Sequence, residues 1–153
     1  MRIDNVTIEK ANKNDWGMIV SILEETGLID RISGNGNHEN FYTVKNEGIV
    51  SCFAIFHKDK VGILKSFGVK KEYQGKGLGK LIVSKLPGLI SKIGLSTLYA
   101  ASWEAPDFWK KAGFKEIKFD ESKDDYFLKY ADYLEKNYPQ FKDKRKYFVF
   151  KVS

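Results

Sequence analysis

VGILKSFGVKKEYQGKGLGKLIVSKLPGLISKI, residues Val61 to Ile93, decides the fold of this chain. Its opening is a β-rich apolar run, with Val61, Ile63, Phe67 and Val69, short enough for a buried strand. From Leu78 onward the period changes. Leu78, Leu81, Ile82, Leu86, Leu89, Ile90 and Ile93 form one helical stripe. Pro87 inside that stripe removes a hydrogen bond and predicts a bend. Between strand and helix stands Gln74-Gly75-Lys76-Gly77-Leu78-Gly79-Lys80. Glycines at alternate positions let a backbone approach a ligand without Cβ interference. The turn feeds a helix N-terminus, whose N–H groups and positive dipole end attract anions. Lys76 and Lys80 add charge at the same place. The stretch reads as strand, anion-cradling turn, helix.

Two common phosphate motifs fail here. A P-loop requires Gly-Lys-Ser/Thr with a glycine five residues before its second glycine. Gly79-Lys80 is followed by Leu81, and the earlier position is Gln74. A dinucleotide fingerprint requires G-x-G-x-x-G, and Gly75, Gly77 and Gly79 have the wrong last spacing.

Upstream, Ile3 to Ala11 alternates as a first strand, and Asn14 or Asp15 is placed to cap a helix. That helix carries Trp16, Ile19, Val20 and Leu23 and ends at Gly27. A polar, glycine-rich loop follows to Asn40. Its His38 and Glu39 either reach a substrate or are plain solvated loop residues. Phe41 to Lys45 and Ile49 to Phe56 form a hairpin turning at Asn46-Glu47-Gly48. Downstream, Leu95 to Ala101 is a strand. With one helix between, it should run parallel to the Val61 strand. Two such strands that splay apart would open a cleft with the glycine turn at its mouth. Ala105 to Gly113 reads as a short helix with Pro106 in its first turn and Gly113 as its C′ residue. A strand from Phe114 to Phe119, a tyrosine-rich helix from Asp124 to Tyr138 and an alternating strand from Lys144 to Val152 complete the chain.

The 153 residues suit one domain, 1–153, with a sizeable core, and the 42% hydrophobic content makes it globular rather than disordered. No stretch approaches a membrane span, and MRIDNVTIEK lacks a signal peptide's apolar core. The single cysteine, Cys52, cannot form an internal disulfide, which suits a cytoplasmic setting. In its apolar run it is better read as a buried thiol than as a nucleophile. The net charge of +6 favours anionic partners, but the lysines are scattered, so no nucleic-acid face is indicated.

Gln74, Gly77 and Gly79 fill a Gln-x-x-Gly-x-Gly pattern directly after a strand ending in Val69. Asp107-Phe108-Trp109, three residues, then Gly113-Phe114 form a second motif in the expected order. Together they resemble the GNAT acyltransferase superfamily. The resemblance implies an α/β (α+β) fold. A mixed central sheet of about seven strands would carry helices on both faces, with two splayed parallel strands forming an acetyl-CoA cleft. It implies acetyl-CoA as cosubstrate and no metal. The pyrophosphate would sit on Gln74, Gly75, Lys76, Gly77, Leu78, Gly79 and Lys80, and the pantetheine beside the backbone of Phe67, Gly68 and Val69. A backbone N–H near Val69, freed by a strand bulge, would stabilise the developing oxyanion. Ser102, Phe108 and Trp109 would flank the pantetheine arm.

Three positions depart from the family pattern. Ser102 replaces a common asparagine, Trp109 replaces a common tyrosine acid, and Ile63 to Ser66 lack a common carboxylate. The tail, with Asn137-Tyr138 and the basic stretch Lys142 to Lys146, looks like the acetyltransferase domain of N-acetylglutamate synthases and related amino-acid acetyltransferases. That likeness makes Arg145 a candidate grip on a substrate carboxylate, against the alternative of a solvated basic turn. The expected activity is direct attack of a small-molecule primary amine on the thioester. Glu104 is the first candidate base, with Asp107, His38 and Glu39 behind it, and Tyr138 is a candidate acid. The alternative is a catalytically weak acyl-CoA-binding sensor. A homodimer is compatible with either.

Overall fold

The computed structural model describes residues 5–28, 38–102 and 107–152. In chain order they form β1 (Thr7–Lys10), α1 (Trp16–Glu25), β2 (Phe41–Lys45), β3 (Ile49–Lys58), β4 (Val61–Val69) and α2 (Leu78–Lys92). Then come β5 (Thr97–Ser102), α3 (Asp107–Lys111), β6 (Lys115–Ile117), α4 (Asp125–Asn137) and β7 (Lys146–Lys151). The sheet has seven strands in the order β1-β2-β3-β4-β5-β7-β6. It is mostly antiparallel. The exception is the pairing of β4 with β5, parallel over Val61↔Thr97, Gly62↔Leu98 and Ile63↔Tyr99, as a single-helix crossover requires. Among the described residues no helix is long and apolar enough to cross a membrane.

Local chemistry adjusts several boundaries. α1 starts at Trp16 with Asp15 in the N-cap position, as the sequence suggests, but the capping bonds are made one turn earlier. The Asn12 side chain accepts from the Asn14 N–H at 2.8 Å, and the Asp15 carboxylate accepts from the Asn12 N–H at 2.9 Å. This reciprocal box closes one 3-10 turn, Lys13–Asp15, which runs into α1. α2 continues through Pro87 because its apolar stripe does. β6 is shorter than Phe114 to Phe119, since Phe119–Glu121 coil into a 3-10 turn.

The chain divides into two compact units. The first comprises Met1–Phe56 and Leu64–Leu81, the second His57–Ile63 and Ile82–Ser153. In the first, Ile19, Ile22 and Leu23 of α1 pack on Phe41, Cys52 and Ala54. Gly68 permits this approach: a Cβ there would lie 3.0 Å from Ile22 Cγ2 and 3.1 Å from Thr26 Oγ1. Burial pushes the Cys52 thiol up to about 12, so it is a packing group and no thiolate. In the second unit, Phe127, Ala131 and Leu134 put one face of α4 against Ile63, Tyr99, Tyr147 and Val149. Tyr99 stacks on Phe127 with ring centroids 4.1 Å apart. Asp124 caps α4 by accepting from the Phe127 N–H at 2.9 Å.

Candidate functional site

In the first unit the site begins where β4 breaks its regularity. Ser66 has φ 55, the left-handed region that a serine in a strand avoids unless its surroundings hold it there. The sequence expectation of a bulge near Val69 meets this irregularity three residues earlier. The strand end beyond it is tied down on several sides. Ser51 Oγ donates to the Gly68 carbonyl at 2.7 Å, and the Lys70 N–H donates to the Val50 carbonyl at 3.0 Å. The Glu25 carboxylate at the end of α1 accepts from the Lys71 N–H at 3.0 Å. A depression of about 460 Å³ opens beside this strand end, lined in part by Met18, Glu47, Lys70 and Tyr73.

The glycine turn follows. Gln74 donates its side-chain amide to the Val69 carbonyl at 2.8 Å, so it staples the turn to β4. Gly75 (φ 76) and Gly77 (φ 84) adopt backbone that other residues enter only with strain. Leu78 is 2% exposed and anchors the turn in the core, while Gln74 to Gly77 and Lys80 are exposed. Bonding of α2 begins with the Leu81 N–H on the Gly77 carbonyl, so the first-turn N–H groups have no intrahelical partners. A Cβ at Gly75 or Gly79 would meet nothing within 4 Å. A turn with glycine at three alternate positions, at a helix N-terminus and carrying two exposed lysines, fits a pyrophosphate.

Two further lysines of the same unit lie against aromatic rings on opposite faces of its sheet. The register Phe41↔Ala54 brings the His38–Asn40 turn alongside the Phe56 end of β3. Lys10 pins that turn by donating to the Glu39 carbonyl, and its ammonium lies 4.8 Å from the Tyr42 ring centroid. Burial lowers the Lys10 pKa, opposed by the Glu39 carboxylate. The Lys65 ammonium of β4 lies 4.7 Å from the Phe56 ring centroid, and burial pulls its pKa down as well. Lys65 escaped the sequence reading, where it counted only as a missing carboxylate. Its signal was a charge inside an apolar strand.

The second unit treats its candidates differently. Trp109 is 3% exposed, stacked on Phe148 at 5.6 Å and edge-on to Phe114 at 5.2 Å, which is the environment of a core residue. Gly113 takes φ 98 at the end of α3, as its C′ role requires. Ser102 ends β5 opposite Lys146. Tyr138 is half-buried against the α4 core cluster. Glu104 and the side chain of Phe108 lie outside the described residues.

Arg145 requires a correction. Its side chain is fully buried, ion-paired to Glu135 at 2.7 Å, and donates to the Tyr138 carbonyl. The carboxylate it grips belongs to α4, so it clamps the helix to the start of β7. Neither a substrate grip nor a solvated turn describes it. Tyr147 completes the clamp by donating to the other Glu135 oxygen at 3.3 Å. Burial, with Glu135 beside it, pushes the Tyr147 hydroxyl up to about 12.

Comparison with known proteins bears on both halves. A family model described as Acetyltransferase (GNAT) domain matches residues 37–116, just over half of the chain. An uncharacterized N-acetyltransferase of Chlorobaculum tepidum is 30% identical over 81 residues, covering 52% of each chain. An amino-acid acetyltransferase of Pseudomonas putida is 28% identical over 102 residues, 63% of this chain and 24% of that protein. The chain thus spans about half or less of the length of these curated relatives. Among solved structures, the N-acetylglutamate synthase of Neisseria gonorrhoeae, complexed with coenzyme A and N-acetyl-glutamate, has TM-score 0.68 at 19% identity. It covers 97% of this chain and 35% of its own. Rv2747 of Mycobacterium tuberculosis, in complex with CoA and NLQ, has TM-score 0.66 at 18% identity, covering 96% and 99%. The chain belongs to the GNAT acetyltransferase family.

Proposed function

We propose that this chain is an acetyl-CoA-dependent N-acetyltransferase acting on the primary amine of a small molecule, with amino acids first among the acceptors. The observation that carries the reading is the exposed, glycine-rich turn between β4 and α2, with Gly75 and Gly77 in left-handed backbone, inside the family-matched segment. In this reading the pyrophosphate lies on Gln74 to Lys80 and the pantetheine beside Phe67 to Val69, with Ser102 and Phe108 farther along the arm. Bound acetyl-CoA supplies the activated acyl group. The chain orients it, and the Val69 N–H is the donor aimed at the developing oxyanion. An acceptor amine of pKa about 10 must shed a proton before attack. Glu104 is assigned as that base and Tyr138 as the acid for the departing thiolate. Attack is direct, in a ternary complex. One acetyltransferase domain spans 1–153, and the family match runs across both compact units. The names of the Pseudomonas and Neisseria proteins support an amino-acid acceptor.

Isothermal titration with acetyl-CoA tests the reading, followed by thiol release against amino acids, polyamines and peptides. Saturable binding with release on one acceptor class is expected. Binding without turnover favours an acyl-CoA sensor, a reading that the core packing of Trp109 in place of an acidic hydroxyl supports. Absence of binding overturns both.

A further inference from the structure

Ser51 is a polar residue in a strand that is otherwise apolar from Ile49 to Phe56. It is 0% exposed, between buried Val50 and Cys52. A buried hydroxyl finds a hydrogen-bond partner or costs stability. Here the partner is one strand away, since Ser51 Oγ donates to the Gly68 carbonyl at 2.7 Å. That carbonyl shares a planar peptide unit with the Val69 N–H. No peptide bond among the described residues is cis, so the two groups point in opposite directions. Holding the carbonyl toward β3 turns the N–H away from β3. The next peptide is fixed in the same sense. Its Lys70 N–H donates to the Val50 carbonyl at 3.0 Å, and its Val69 carbonyl accepts from the Gln74 amide at 2.8 Å. The N–H and C=O of Val69 therefore both face the side of β4 away from β3. On that side the described pairing with β5 ends at Ile63↔Tyr99, short of Val69. Ser51, Gly68, Val69 and Gln74 all belong to the first compact unit.

We propose that Ser51 is a positioning residue for acetyl transfer: by holding the Gly68 carbonyl, its hydroxyl aims the Val69 N–H at the thioester oxygen. The inference rests on the acetyltransferase reading, in which Val69 supplies the oxyanion donor, and adds to it the group that sets the direction of that donor. Two physical effects act together. A preorganised donor stabilises the developing negative charge without reorienting during the reaction, whereas an N–H swung off line weakens steeply. A hydrogen bond accepted at the carbonyl end of a peptide also polarises the unit, which makes its N–H a stronger donor. Both effects grow with the charge on the substrate oxygen. They favour the transition state over bound acetyl-CoA, so Ser51 acts on kcat rather than on affinity. A serine hydroxyl carries no charge across the working pH range, so the limbs of the pH profile belong to other groups.

The test compares wild type with Ser51→Ala, Ser51→Cys and Thr43→Val. Thr43 of β2 controls for the loss of a buried hydroxyl. It is also 0% exposed, and its Oγ1 has no hydrogen-bond partner among the described residues. Thiol release gives kcat and its pH profile, and isothermal titration gives acetyl-CoA affinity. Infrared difference spectra give the carbonyl stretch of bound, carbonyl-labelled acetyl-CoA with no acceptor present. Melting temperatures keep every assay in the folded range. Ser51→Ala should lower kcat about 10-fold, less than the loss of about 100-fold or more that follows deletion of an oxyanion donor itself. Affinity should hold within about twofold. The pH profile should keep its limbs, and the carbonyl stretch should rise as polarisation is lost. Ser51→Cys keeps a weaker donor and should fall between, and it carries the same comparison if Ser51→Ala does not fold. Thr43→Val should match wild type. Unchanged kcat and carbonyl stretch in the Ser51 variants would assign the hydroxyl to packing alone and overturn the proposal. A loss of affinity as large as the loss in kcat/KM would also overturn it, because the bond would then serve cofactor binding. If acetyl-CoA binds and no amine is acetylated by wild type, the acetyltransferase reading falls and the Ser51 assignment falls with it.

Discussion

Lys76 and Lys80 of the glycine turn and Arg145 before β7 are cations that the sequence places beside a candidate ligand, and the folded chain uses them in opposite ways. The turn leaves both lysines in solvent at a helix N-terminus. Arg145 disappears into the second unit, paired with Glu135 and the Tyr138 carbonyl. The difference lies in what specifies each place. The turn is made of backbone N–H groups, and glycine spacing dictates where those point. A guanidinium's role depends on which carboxylate arrives opposite it, and here α4 delivers one from ten residues upstream.

The sharpest way to break this comparison is to remove Glu135. Glu135→Ala leaves a buried guanidinium without its counter-ion and should cost about 3 kcal/mol or more in a denaturant titration. Coenzyme A affinity at a temperature where the protein stays folded should hold within about twofold, because the clamp is no part of the turn. Gly77→Glu should do the reverse. A carboxylate facing the pyrophosphate opposes like charges, so affinity should fall about 100-fold, read by isothermal titration. The melting temperature should drop only by the strain of a side chain at φ 84. If Glu135→Ala instead abolished binding at unchanged stability, Arg145 would belong to the ligand site after all.

Legibility from the sequence follows the same division. The parallel β4–β5 pair, α2 with its proline and the glycine turn were readable, because each rests on local periodicity and on Gly or Pro geometry. Asp15 stands in the N-cap position of α1, but Asn12 as the cap of the preceding 3-10 turn was missed because Asn12, Asn14 and Asp15 are equally good capping residues by type. Only the backbone bond to the Asn12 side chain separates them. Trp109 read as a cofactor flank, yet Phe148, distant in sequence, makes it core. Gln74 was readable as part of a ligand loop but not as the staple to Val69. Lys65 was hidden because its meaning depends on Phe56 across the sheet.

The Gln74 staple sharpens the comparison from the turn's side. Gln74→Ala removes one hydrogen bond worth about 1 kcal/mol and leaves the glycine geometry in place. If the turn is preorganised by that bond, coenzyme A affinity should fall about fivefold. Stability should fall by no more than about that 1 kcal/mol, since Gln74 is exposed. An unchanged affinity would show that Gly75 and Gly77 set the turn without help from the staple.

The smallest effect comes from the clamp's outer member and is read as a pH dependence. The Tyr147 hydroxyl is raised to about 12 from the ordinary 10, first by burial and then by the Glu135 carboxylate. Between those values the folded state keeps a proton that the unfolded state has released. Stability linked to Tyr147 is therefore full below pH 10 and declines as pH rises toward 12. Cys52, raised from 9 to about 12 by burial, adds a decline of the same sign from pH 9. Tyr147→Phe should cost about 1 kcal/mol near neutrality for the lost bond to Glu135. It should also flatten the alkaline limb above pH 10 and leave the Cys52 portion from pH 9 in place. Melting temperatures of wild type, Tyr147→Phe and Cys52→Ala from pH 7 to 11.5 separate the two. No loss of stability near neutrality in Tyr147→Phe would mean that Glu135 answers to Arg145 alone, and the clamp would then be a pair rather than a triad.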